Sequence, residues 1–133
     1  MNQTSPEPTA GLSARSGLVV TSADTAIAFG SGALPVVATP RLIALCEQAT
    51  CRAVDGVIAD ESTTVGTRVE FDHTAASPVG AEVVAIAELL AVEGRRLRFA
   101  VRVTDGGHEV GHGIVERVIV MRDRFLSRLA DPV

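Results

Sequence analysis

From Arg95 to Thr104 the chain alternates: Leu97, Phe99, Val101 and Val103 fall on one side, Arg96, Arg98, Arg102 and Thr104 on the other. A period of two predicts a strand with one core face and one wet face. Thr63 to Phe71, Ala81 to Glu93 and Val110 to about Arg122 also read as strands. In Val83 to Leu90 both faces are apolar, which predicts cover on both sides, by a helix and by a second subunit. Glu93-Gly94 and Asp105-Gly106-Gly107 are tight-turn sequences, so the last three strands are expected to form an antiparallel meander.

The period changes once. Leu42, Leu45, Cys46, Ala49 and Ala53 form an apolar stripe at helical spacing, with Thr39 as the expected N-cap, Pro40 at the first helical position and Asp55-Gly56 as the stop. Gly17 to Thr21 is a short strand candidate, Thr25 to Phe29 a second, and Gly30 to Pro35 a loop. Residues 1–16, rich in Ser, Thr, Pro, Gly and Ala without periodicity, read as a disordered tail, leaving 17–133 as a single domain. One long helix beside a long antiparallel sheet is an α+β layout in which the sheet wraps the helix, the hotdog arrangement.

Composition narrows the function classes. Four Phe with neither Tyr nor Trp leave few stacking surfaces for single-stranded nucleic acid, and a net charge of -4 disfavours a phosphate backbone. No apolar run reaches the roughly 20 residues of a membrane helix, and the N-terminus lacks a secretory pattern, so a cytoplasmic protein without membrane or nucleic-acid partners is expected. Cys46 and Cys51, five apart on the helix, face different ways and read as reduced thiols.

His108-Glu109-Val110-Gly111-His112 matches the zinc-peptidase pattern H-E-x-x-H, but that chemistry needs a helix to bring both imidazoles to one face. Here the motif follows a glycine turn, contains Gly111 and runs into Ile114, Val115, Val118, Ile119 and Val120, which is strand composition. On a strand the two histidines stand roughly 13 Å apart, so no metal site is expected.

Glu47 is the informative outlier, a carboxylate on a helix that otherwise reads as core. A buried, unpaired carboxylate costs several kcal/mol or loses its charge, so its presence argues for a partner or a reaction. A salt-bridged helix residue is the plain alternative. His73 is a candidate partner, and Thr39 stands at the start of the helix that carries Glu47.

The stretch Gly66 to Phe125 closely resembles the fluoroacetyl-CoA thioesterase family of hotdog proteins, through His73-Thr74-Ala75-Ala76, Val92-Glu93-Gly94-Arg95-Arg96-Leu97 and Glu116-Arg117. The Ala38-Thr39 start and Glu47 eight residues later extend the resemblance to the helix. It implies a homodimer or higher homo-oligomer that hydrolyses a small acyl-CoA to free acid and CoA, with no cofactor beyond the CoA thioester substrate. Thr39, Glu47 and His73 match the family's catalytic trio, Gly66 the glycine near the thioester carbonyl, and Arg117 an arginine near the site. The residue types suit the reaction so implied, which needs a nucleophile or activated water, a base, and donors aimed at the developing oxyanion. Glu47 can act as base or attacking carboxylate, His73 as base or proton carrier, and Thr39 as nucleophile or hydrogen-bond partner, while Gly66 would offer a backbone N–H with no side chain in the way. Eight residues are roughly 12 Å of straight helix, so Thr39 and Glu47 do not touch if both are helical. Either Thr39 lies in a loop folded back over the site, or the substrate bridges them, or a second subunit completes the group, the last being favoured because the family builds its site at the dimer interface. The family also carries a phenylalanine-bearing lid before the helix. Gly30 to Val37 contains no Phe, so a wider acyl pocket is expected rather than selection for a fluorinated acyl group. The alternative is a non-catalytic hotdog module that binds a CoA thioester or another small ligand.

Overall fold

The computed structural model describes residues 7–130. Seven of its elements were foreshadowed or fall near expected ones: β1 (Ser13–Val19), α1 (Ala26–Phe29), α2 (Thr39–Val54), β2 (Ser62–His73), β3 (Glu82–Glu93), β4 (Arg96–Asp105) and β5 (His108–Met121). An eighth, α3 (Arg122–Leu129), carries β5 into a C-terminal helix that the strand-like pattern did not indicate. The strands form one antiparallel sheet in the order β1-β3-β4-β5-β2, leaving β1 and β2 as its edges. The β3-β4-β5 meander follows from its turns. Gly106 and Gly107 both have positive φ, 58° and 85°, the backbone a two-residue turn between twisted strands demands.

α2 lies against one face of this sheet. Leu42, Leu45, Cys46, Ala49, Ala53 and Val54 pack with Val83, Ala85, Ala87 and Leu89 of β3, Leu97, Phe99, Val101 and Val103 of β4, and Val115 of β5. Each buried Leu or Val contributes about 1.5–3 kcal/mol over leaving it in water, so this stripe fixes the helix on the sheet. On the other face of β3, within one chain, Val84 and Ile86 are half-buried and Leu90 is exposed.

Two strands carry irregularities that matter below. The β2–β5 register shifts between Gly66 and Arg68, leaving Thr67 as an extra residue, and the β3–β4 register shifts between Leu89 and Ala91. Such bulges bend the strand and re-aim its side chains.

Three expectations need correction. Ser13 to Ser16, assigned to a tail of residues 1–16, form the first half of β1 and pair with Ala85 to Glu88. The backbone ladder to β3, not an apolar pattern of their own, orders them, and Ser16 is buried with its hydroxyl donating to Gln48 at 2.6 Å. Residues 1–6 of that tail and 131–133 of the expected domain lie outside the described residues. Thr25 to Phe29, expected as a strand, makes only a single bridge, Thr25 to Val37, and then turns into α1. The Thr25 hydroxyl accepts the Ala28 N–H at 3.2 Å, an N-cap that favours the helical turn. At α2 the N-cap is Ala38, one residue before the expected Thr39, which frees the threonine side chain for another partner.

Candidate active site

Thr39 stands in the first turn of α2 and His73 closes β2. Thr39 Oγ1 and His73 Nδ1 are 2.7 Å apart, a short hydrogen bond across 34 residues of sequence. When Thr39 donates to Nδ1, the ring proton sits on Nε2, which is buried with no hydrogen-bond partner among the described residues. Burial pushes the His73 pKa below its ordinary value, the nearby Ala75 backbone acting in the opposite direction without overturning it. The imidazole is therefore neutral at neutral pH and able to accept a proton. Phe71 of the same strand packs beside it, ring centroids 6.5 Å apart.

Glu47, two turns further along α2, has a different partner from the one expected. Arg117 Nη1 donates to Glu47 Oε2 at 3.1 Å, while His73 is engaged with Thr39. Arg117 itself is buried and held on its remaining sides by Thr64: Nε donates to the hydroxyl at 2.8 Å and Nη2 to the carbonyl at 3.1 Å. The Glu47 side chain keeps 36% of its surface, so it is neither the fully buried nor the unpaired carboxylate that the helix pattern suggested. One end of it is anchored and the rest faces solvent.

Gly66 sits across from Arg117 in the β2–β5 ladder. A Cβ there would fall inside the contact distance of Glu47 Oε2 and within 3.3 Å of Arg117 Nη1. The glycine is thus the space into which the ion pair fits, as well as one side of the bulge. On the helix side of Glu47, burial and the adjacent carboxylate push the Cys46 thiol up to about 12, which leaves it an inert packing group.

The five expected site residues therefore form two separate clusters within one chain, Thr39 with His73 and Glu47 with Gly66 and Arg117. Of three cavities of about 470, 420 and 620 Å³, the first is lined in part by Arg117 and Thr67 and the second in part by Thr64 and Gln48, while none of the three is lined by Thr39, Glu47 or His73. The segment before α2 holds one surprise: Phe29, directly preceding the Phe-free stretch Gly30 to Val37, ends α1 with nearly half its surface exposed, near Leu34 in sequence, which is more exposed still.

Sequence reasoning missed Thr64 and also Asp24, which grips the start of α2. The only available signal for Asp24 was Thr21-Ser22-Ala23-Asp24, a capping-box spacing ahead of a short turn, and both hydrogen bonds of that box are present. His108 and His112 lie on β5, as expected from the composition around them. The two ring nitrogens of His112 face opposite carboxylates, Nδ1 at 3.2 Å from Glu109 and Nε2 at 3.5 Å from Asp72. No cluster of three or more metal-type side chains occurs among the described residues.

The family model for the fluoroacetyl-CoA-specific thioesterase matches residues 20–123. The chain is 37% identical over 94 residues to the fluoroacetyl-CoA thioesterase of Streptantibioticus cattleyicolor, covering 71% of this chain and 68% of that protein. Among solved structures, a threonine-to-serine mutant of the fluoroacetyl-CoA thioesterase in complex with acetyl-CoA superposes with a TM-score of 0.87 at 29% identity, over 92% of this chain and 97% of that one. A hot-dog-like protein from Thermanaerovibrio acidaminovorans superposes with a TM-score of 0.83 at 26% identity, over 90% and 89%.

Proposed function

The chain belongs to the fluoroacetyl-CoA-specific thioesterase family, and from that premise we propose that it hydrolyses a small acyl-CoA to free acid and CoA with Thr39, Glu47 and His73 as its catalytic residues. It is a hotdog-fold thioester hydrolase, and acyl-CoA thioesterase activity is the family's chemistry. The solved relative that holds acetyl-CoA supports a short acyl group. Acyl-CoA chemistry is also the reason for assigning it to the cytoplasm.

One observation carries the assignment of roles: the 2.7 Å hydrogen bond between Thr39 Oγ1 and a His73 that burial keeps neutral. A neutral imidazole on a hydroxyl takes the proton as the oxygen, or a water beside it, adds to the thioester carbonyl. The C–O bond forms, the C–S bond breaks, and the proton on His73 passes to the departing CoA sulfur; where a side-chain oxygen rather than water has attacked, a water then cleaves the acyl-enzyme, releasing the free acid and restoring the side chain. Glu47, aimed by Arg117, acts on the same carbonyl as attacking group or as base for water, and the Gly66 N–H is a donor for the oxyanion. Arg117 is a positioning residue that also lines the substrate side.

The two clusters come together in a homodimer. Thr39 and Glu47 are separated by roughly 12 Å of helix, so a second chain that lays its own cluster beside the first supplies the missing half. β2, a 12-residue edge strand with half of its residues exposed and none fully buried, offers an unpaired ladder for such an association. Lacking Phe between Gly30 and Val37, the enzyme accepts acyl groups beyond a fluorinated one.

Thiol release from acetyl-, fluoroacetyl-, propionyl- and butyryl-CoA tests this reading. Wild-type turnover is expected on more than one of them, with losses of roughly 100-fold or more for Glu47→Gln and His73→Ala at unchanged folding. Full rates in both variants, or a sedimentation profile showing only monomer at micromolar concentration, would overturn it.

A further inference from the structure

We propose that Asp24 is a positioning residue for Thr39, a reading that rests on the catalytic role assigned to that threonine. The first turn of a helix exposes N–H groups that need acceptors, and the N-cap of α2 is Ala38, whose side chain has nothing to offer. Asp24 does not reach those N–H groups, the Arg41 N–H going to the Ala38 carbonyl at 3.0 Å, but it holds the chain at two points. Its carbonyl accepts the Ala38 N–H at 2.9 Å, and its carboxylate Oδ1 accepts Arg41 Nε at 3.0 Å. Thr39 lies between these two anchor points, so a single residue from the preceding 3-10 turn, Ser22–Asp24, grips the chain on both sides of it.

The grip is rigid because Asp24 is itself held. Oδ2 accepts both the Thr21 N–H at 2.8 Å and the Thr21 hydroxyl at 2.9 Å, and the carboxylate is largely buried. Desolvation raises its pKa, but the two Thr21 donors and Arg41 outweigh it and hold the carboxyl below its ordinary range, so it stays charged across the working pH. On the other flank the Val37 N–H donates to the Ser77 carbonyl at 2.8 Å, tying the entry to α2 to the loop that follows His73. Thr39 is thereby fixed relative to the strand end that carries its imidazole partner. A hydroxyl that must lie 2.7 Å from Nδ1 tolerates little drift, since a displacement of about 1 Å near reacting atoms costs on the order of 100-fold in rate.

The test compares kcat and KM for acetyl-CoA hydrolysis in the full chain carrying Asp24→Asn, Arg41→Gln, Thr39→Ala, and Thr39→Ala with Asp24→Asn. Asp24→Asn is expected to lower kcat roughly 10- to 100-fold with KM within about twofold, and Arg41→Gln to act in the same direction but less. In the Thr39→Ala background Asp24→Asn should change kcat less than about twofold, because no hydroxyl remains to be placed. An Asp24 that merely stabilises the fold would cost the same in both backgrounds, and that result would overturn the proposal. So would a wild-type kcat in Arg41→Gln, the arm that decides if Asp24→Asn fails to fold. Thr39→Ala at the wild-type rate would instead remove the catalytic reading of Thr39 itself; an inactive Thr39→Ala beside a fully active Asp24→Asn would remove only the positioning role.

Discussion

Gly66→Ala isolates the placement of Glu47 from everything else at the site. The glycine is not in the left-handed region, so alanine adopts its backbone without strain, and the main-chain N–H is retained. Only the new methyl group matters. It would overlap Glu47 Oε2 and press on Arg117 Nη1 at 3.3 Å, while Glu47 Cδ at 3.7 Å is in ordinary contact. The carboxylate has to retreat by about 1 Å to regain van der Waals distance, which stretches the 3.1 Å bond to Arg117 out of hydrogen-bond range. Displacement of a reacting group by about 1 Å costs on the order of 100-fold, or about 2.7 kcal/mol of transition-state stabilisation. Folding is affected much less, because Arg117 keeps both bonds to Thr64 and the displaced group is the end of a flexible side chain reaching solvent. A loss of about 1 kcal/mol, a few degrees in Tm, is the expected scale. The assay is kcat/KM for acetyl-CoA hydrolysis alongside thermal melting, repeated in a Glu47→Gln background where the methyl should add nothing. A Gly66→Ala enzyme within threefold of wild type would refute the reasoning, since Glu47 would then work equally well from a displaced position.

Two further outcomes follow from the titrating groups. The His73 pKa is lowered, so the acid limb of kcat/KM should fall below pH 6.5, and a limb at or above that value would contradict a buried imidazole base. The same shift makes the unfolded chain bind the extra proton first, so this histidine's contribution to stability is complete above pH 6.5 and is lost as pH falls toward its folded pKa; Tm of His73→Gln should depend less on pH across that window than Tm of wild type. Of the two thiols, exposed Cys51 should react with a disulfide reagent in the native state while Cys46, pushed to about 12, should react only on unfolding. Two equally fast thiols would mean that the α2–sheet packing opens readily.

What could be read from the chain depended on whether local pattern and tertiary context agreed. β4 is legible because its apolar face meets the helix and its arginines meet water, and the turns at Gly94 and Gly106-Gly107 need residues that few other structures would keep. The α2 stripe is legible for the same reason. The first half of β1 is not, since Ser13-Ala14-Arg15-Ser16 carries no strand signal and is ordered by the exposed ladder of β3, while only Gly17 to Val19 fell within an expected strand. α3 was hidden because Met121 continues the apolar run of β5 into residues that then turn helical. At the site, Thr39, Glu47, His73, Gly66 and Arg117 were each named from residue type and family resemblance, but their pairing was not. Glu47 and Arg117 are 70 residues apart, Thr39 and His73 are 34 apart, and nothing local distinguishes this pairing from a Glu47–His73 contact. Asp24 had a capping-box spacing to mark it, but its grip on α2 was hidden for a different reason, since that work is done partly through a backbone carbonyl that any residue possesses.

The bulge in β2 settles a matter of parity. Seven positions separate Gly66 from His73, and on an unbroken strand an odd separation puts two residues on opposite faces. Thr67 is the uncounted residue: Gly66 pairs with Arg117, Arg68 already with Glu116, and the alternation then carries Val69, Phe71 and His73 back to the side where Arg117 and Val115 are buried. One surplus amino acid therefore lets a glycine and a histidine an odd distance apart look at the same helix. Loss of Thr67 itself would only regularise the ladder and leave every later residue facing as it does, whereas loss of any other single residue along the strand, with the bulge kept, exchanges inside for outside for everything beyond it.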